Sequence, residues 1–135
     1  MKSNLGHLQV NINSRNLLFY KELFSFLGWS DLYSDENTLG VGDKNGTSLW
    51  FATPLKQSSN DYDGLGVNHL AISVEKQEDV DQVVTYLKEK AVTALFDTPR
   101  HRPEFCGDSK ETYYQVMFES PDKILFEVVY TGPKQ

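Results

Sequence analysis

The pattern of apolar and polar positions along this chain is written twice. The run Gly6-His7-Leu8-Gln9-Val10-Asn11-Ile12 alternates. His7, Gln9 and Asn11 fall on one face and Leu8, Val10 and Ile12 on the other, the period of a half-buried strand. The polar face carries no charged residue, which suits a wet cavity better than bulk solvent. Asn13-Ser14-Arg15-Asn16 then supplies cap-type residues. An apolar helix is predicted from Leu17 to Leu27, with Leu17, Tyr20, Phe24 and Leu27 at helical spacing and Gly28 as its stop. Trp29 to Tyr33, Thr38 to Gly42 and Thr47 to Ala52 read as three strands. The last two are joined by Asn45-Gly46, a hairpin signal.

After a polar stretch, 54–65, the order returns. Val67 to Val74 is a predicted strand with His69, Ala71 and Ser73 on one face and Leu70, Ile72 and Val74 on the other. Asp79 to Lys90 is a predicted helix turning Val80, Val83, Val84 and Leu87 inward. Ala91 to Phe96 is a strand, and Asp97 to Thr112 a long charged loop with Pro99 and Pro103. Tyr113 to Phe118 and Lys123 to Tyr130 are the last two strands, with the turn Ser120-Pro121-Asp122-Lys123 between them. The chain is thus an internal repeat of one βαβββ unit, an α+β arrangement. Its modules span about residues 4–53 and 66–131 of a single domain.

Composition narrows the function. At 135 residues the chain is one domain's worth and needs no covalent staple. A net charge of −6 argues against nucleic-acid or anionic-membrane partners, which want a basic face. The single cysteine, Cys106, allows no internal disulfide. No apolar h-region or membrane span is visible, and a cytoplasmic location is expected.

The candidate chemistry sits in the last strand. Lys123-Ile124-Leu125-Phe126-Glu127-Val128-Val129-Tyr130 is apolar but for Glu127 at its centre, and a carboxylate in such surroundings needs a partner. His7 and His69 stand at the same place in the two copies. Two imidazoles and one carboxylate on strands of one small domain can make a three-ligand metal site.

The segments "GHLQVNI", "VNHLAISV" and "ESPDKILFEVV", in this order and across nearly the whole chain, resemble the vicinal oxygen chelate superfamily. That superfamily includes glyoxalase I, bleomycin-resistance proteins and extradiol dioxygenases. The resemblance implies two βαβββ modules forming a cupped mixed sheet with helices outside. It implies a divalent metal (Fe, Zn, Mn or Ni) held by His7, His69 and Glu127. Overlaying "TSLWFAT" on "KILFEVV" puts Phe51 where glyoxalase-type members carry a further carboxylate. Two histidines and one carboxylate resemble the dioxygenase pattern more closely, with Phe51 as an apolar pocket wall and Trp50 as core. Pairing of the modules within one chain and swapping between two copies of a homodimer both fit the repeat.

Around that site, Gln9, Asn11 and Ser73 are expected as polar pocket groups. Arg100 and Arg102 are expected as a clamp for a carboxylate or phosphate, since arginine's fork matches both. Of Tyr113 and Tyr114, adjacent on a strand, one must face the pocket and the other the helix side, so both enter as candidates. His101 and Cys106 read as ordinary loop residues. Two functions follow from the resemblance. One is a metal-dependent enzyme of glyoxalase or dioxygenase type acting on a small oxygen-bearing substrate. The other is a protein that sequesters a drug or metabolite in the same pocket without turnover.

Overall fold

The structure, a computed structural model, describes residues 1–54 and 56–135. Leu55, in the predicted linker, lies outside the described residues. The chain divides into two compact units, Met1–Ser59 and Asn60–Gln135.

The first unit runs β1 (His7–Asn11), α1 (Leu17–Phe26), β2 (Ser30–Ser34), β3 (Thr38–Gly42) and β4 (Ser48–Ala52). Its four strands form one sheet in the order β1-β4-β3-β2, with β1 parallel to β4 and the other pairs antiparallel. Helix α1 buries Tyr20, Leu23 and Phe24. It ends in a Schellman motif: Gly28 N–H donates to the Ser25 carbonyl (3.1 Å) and Trp29 N–H to the Phe24 carbonyl (2.9 Å). Gly28 takes φ +83°, which suits glycine, and the Trp29 ring closes edge-on against Phe24 at 5.1 Å.

The second unit repeats the order with β5 (Leu70–Val74), α2 (Gln77–Glu89), β6 (Ala94–His101), β7 (Glu111–Glu119) and β8 (Leu125–Pro133). The sheet order is β5-β8-β7-β6, again with one parallel pair, β5 with β8. Helix α2 starts two residues earlier than its apolar pattern suggests. The Asp79 carboxylate accepts from Lys76 N–H (3.0 Å) and, with Glu78, favours the helix N-terminus. Its exit copies that of α1, with Ala91 at φ +56° in the place of Gly28. Val80, Val83 and Leu87 on its inner face are buried.

Two expectations need correction. Strand β6 does not stop at Phe96. Its register with β7 breaks between Leu95 and Arg100 and then resumes, Arg100 opposite Gln115 and His101 opposite Tyr114. The extended chain therefore reaches into what reads as loop, and the connection proper is 102–110. A bulge hides such a strand from sequence, because the inserted residues destroy the period of two. Thr98 patches the break: its hydroxyl donates to the Leu95 carbonyl (2.6 Å) and accepts from Met117 N–H (2.9 Å). Likewise, the strand expected from Val67 begins only at Leu70, so His69 sits just ahead of β5 rather than inside it. The segment before it is tied to the second unit. Asn60 Nδ2 donates to the Lys123 carbonyl (2.8 Å), and the Tyr62 hydroxyl donates to Glu119.

Candidate metal and substrate site

Glu127 lies in the middle of β8, opposite Ala71 on one side and Met117 on the other. Its side chain is 2% exposed. The same face of β7 presents Tyr113, Gln115 and Met117, residues two apart on a strand. The Tyr113 hydroxyl donates to Glu127 Oε1 (2.6 Å). Gln115 donates from its amide nitrogen to that same oxygen (2.6 Å), and its amide oxygen accepts from Arg102 Nη1 (3.3 Å). The amide is oriented this way because the reverse sets oxygen against carboxylate oxygen. Burial, and then the bond to Glu127, push the Tyr113 hydroxyl above the ordinary tyrosine range, so it remains a donor.

The other oxygen of Glu127 is reserved for His69. His69 Nε2 lies 2.9 Å from Glu127 Oε2, and its Nδ1 lies 2.8 Å from Asn68 Oδ1. Asn68 is fixed in turn by its Nδ2–H, which donates to the Tyr62 carbonyl (2.8 Å). With Nδ1 held as the donor to Asn68, Nε2 faces a carboxylate that only a proton or a cation can reconcile with it. An imidazole oriented by an amide and a carboxylate with one oxygen saturated by neutral donors is the donor chemistry of a divalent-metal site. His69 and Glu127 therefore fit two of its ligand positions. Within neither unit, among the described residues, do three His, Cys, Asp or Glu side chains gather into a metal-sized group.

These groups line a concavity of about 760 Å³ that belongs wholly to the second unit. Arg100, Arg102 and Tyr113 line it as well, with Phe96, Phe105 and Met117 as apolar surface. Arg102 is heavily engaged, paired to Glu104 and lying over the Phe105 ring at 4.7 Å.

Other expected site residues lie elsewhere. Tyr114 points to the opposite face of β7, where its hydroxyl donates to Asp81 of α2 (2.7 Å). Ser73 is exposed on β5 and does not line the concavity. His7, Gln9 and Asn11 form the exposed face of β1 in the first unit, with Gln9 donating to Asn11 (3.2 Å). Phe51 is not on that face. It is fully buried beneath α1, stacked on Tyr20 at 4.4 Å. The parallel register pairs Gln9 with Trp50 just as it pairs Ala71 with Glu127. Trp50, not Phe51, is thus the counterpart of Glu127, and its indole lies against Gly40, where a Cβ would meet the ring at 2.7 Å. A one-residue slip in the overlay exchanges the two faces of a strand. Gln115 and Asn68 were legible only indirectly, Gln115 as a polar residue two positions after Tyr113 and Asn68 as the neighbour of His69.

Burial and the bond to Asp81 raise the Tyr114 hydroxyl to about 12 from the usual 10.0. A group whose folded-state value is raised stabilises the fold below its unfolded value and loses that contribution as pH climbs to the folded one. Wild type is therefore expected to lose melting temperature between about pH 10 and 12 more steeply than Tyr114→Phe. Parallel alkaline melting curves would show that the Tyr114–Asp81 bond contributes nothing.

In fold the chain is similar to the vicinal oxygen chelate proteins, with two βαβββ modules, each of one mixed four-stranded sheet and one helix. No family model matches the chain, and no curated protein does. Solved structures do. A proposed glyoxalase from Bacillus halodurans is 25% identical, covering 93% of this chain and 94% of its own, with a TM-score of 0.77. A glyoxalase/dioxygenase from Nostoc punctiforme is 18% identical over 96% and 91%, at 0.73. The fosfomycin resistance protein FosX from Listeria monocytogenes, in complex with Mn(II) and sulfate, is 18% identical over 98% and 93%, at 0.66. No helix among the described residues is long and apolar enough to cross a membrane.

Proposed function

We propose that this protein is a divalent-metal-dependent enzyme that acts on a small oxygen-bearing substrate, with His69 and Glu127 as metal ligands. The observation that carries this reading is the buried Glu127 carboxylate, one oxygen held by Tyr113 and Gln115 and the other 2.9 Å from His69 Nε2. His7 is the counterpart of His69 in the repeat, since it opens β1 as His69 precedes β5. The Mn(II) in the Listeria neighbour makes that ion a reasonable first choice. The metal would supply Lewis acidity toward substrate oxygens. Asn68 would keep the Nε2 lone pair of His69 free for it, and Tyr113 and Gln115 would keep Glu127 from rotating away.

The test is calorimetric titration of EDTA-stripped protein with Mn(II) and Zn(II). One ion per chain is expected, with affinity falling at least about tenfold in His69→Ala. Equal affinity in the wild type and in that variant would remove His69 from the site.

A further inference from the structure

We infer that the second-unit pocket binds an organic anion, a compact carboxylate or phosphonate bearing an apolar or aromatic body, with Arg100 as its counter-charge and Phe96 as its wall. The inference rests on the proposed function only in using the same pocket.

The first observation is which pocket charge lacks a partner. Glu127 faces His69, and Arg102 is paired with Glu104 and bound to Gln115. Arg100 lines the pocket, is exposed, and makes no side-chain hydrogen bond or ion pair among the described residues, though its charge is felt by Glu104. A guanidinium in a concavity with its hydrogen-bond donors unused is a ready bidentate site for a carboxylate or phosphonate. Asp63 also lines the pocket and opposes this attraction.

The second observation is the backbone that presents these residues. Phe96 and Asp97 both have left-handed dihedrals, φ +57° and +55°, inside the bulge that ends at Arg100. Bulky side chains rarely adopt that conformation, and two in succession hold strain that a glycine would relieve. Strain of this kind concentrates where a side chain must be aimed. Here the bulge leaves the Phe96 ring 52% exposed within the pocket lining instead of packing it into the sheet. The Phe105 ring, 56% exposed, lines the same space. Two exposed aromatic rings beside a free guanidinium match a ligand with a charged head and an apolar body.

The probe is phenylphosphonate, with inorganic phosphate and benzyl alcohol as the two halves of its chemistry. Titrations are run by calorimetry or ligand-observed NMR in EDTA, so a failure of the metal assignment does not affect the result. Phenylphosphonate is expected to bind at least about tenfold more tightly than either half. Arg100→Gln should weaken it by about tenfold and leave benzyl alcohol unchanged. Phe96→Gly should weaken phenylphosphonate severalfold without lowering the melting temperature, because the glycine relaxes the left-handed backbone. Asp63→Asn should hold or raise the affinity. The proposal is overturned if Arg100→Gln binds phenylphosphonate within twofold of wild type, or if phosphate binds as tightly as phenylphosphonate. It is also overturned if Phe96→Gly melts lower while binding unchanged, which would make Phe96 a packing residue only.

Discussion

Replacing Glu127 by Gln is expected to weaken Mn(II) binding by roughly 100-fold or more while the protein stays folded. Changes one shell out from a metal cost about 10–100-fold, and a ligand lies closer. Gln keeps the shape of the side chain and can still accept from Tyr113. What disappears is the charge, and with it the reason for a cation beside a side chain that is 2% exposed. The cost to folding stability should stay within about 1–3 kcal/mol, the range for a buried polar group whose partners are rearranged. Titration of both proteins after EDTA treatment, with circular dichroism to monitor folding, checks both halves. Unchanged affinity in a folded Glu127→Gln protein would mean that the carboxylate serves only as the partner of His69, Tyr113 and Gln115.

The second large effect concerns stability. Phe51→Ala should destabilise the protein by about 3–5 kcal/mol, the usual cost of emptying a buried aromatic site. Phe51 is fully buried and stacks on Tyr20, with Phe24 at 5.5 Å. Trp50→Ala should cost clearly less, although tryptophan is the larger residue, because Trp50 is only half-buried and has lost less water contact to begin with. Urea unfolding of the two variants measures this. If Trp50→Ala proves the more damaging, the strand faces have been assigned the wrong way round. A loss of 3–5 kcal/mol is a large share of the about 5–15 kcal/mol that holds a domain together.

These two residues also mark the boundary between what sequence and structure each supply. Alternation along β4 is local and plain: Leu49 and Phe51 on one side, Ser48, Trp50 and Ala52 on the other. Which side meets α1 is not local. It depends on the register with β1, where Gln9 meets Trp50, one residue away from the Phe51 that the likeness of the two segments suggests. The β6 bulge was hidden for a related reason. Its geometry needs β7 alongside, with Thr98 standing in for a backbone partner, and no period in the sequence encodes that.

The sequence alone determined the repeated order of elements, because apolar periodicity and the helix-terminating glycine and hairpin signals act over a few residues. It also singled out Glu127, because a lone carboxylate in an apolar strand demands a partner wherever the strand lies. Tertiary structure decided who that partner is. His69 is far from Glu127 in sequence but one strand away across the β5–β8 ladder. Gln115 and Tyr113 reach the same carboxylate only because β7 runs antiparallel on its other side. Pairing between strands is what converts separate periods of two into a common face, and that face holds the candidate site.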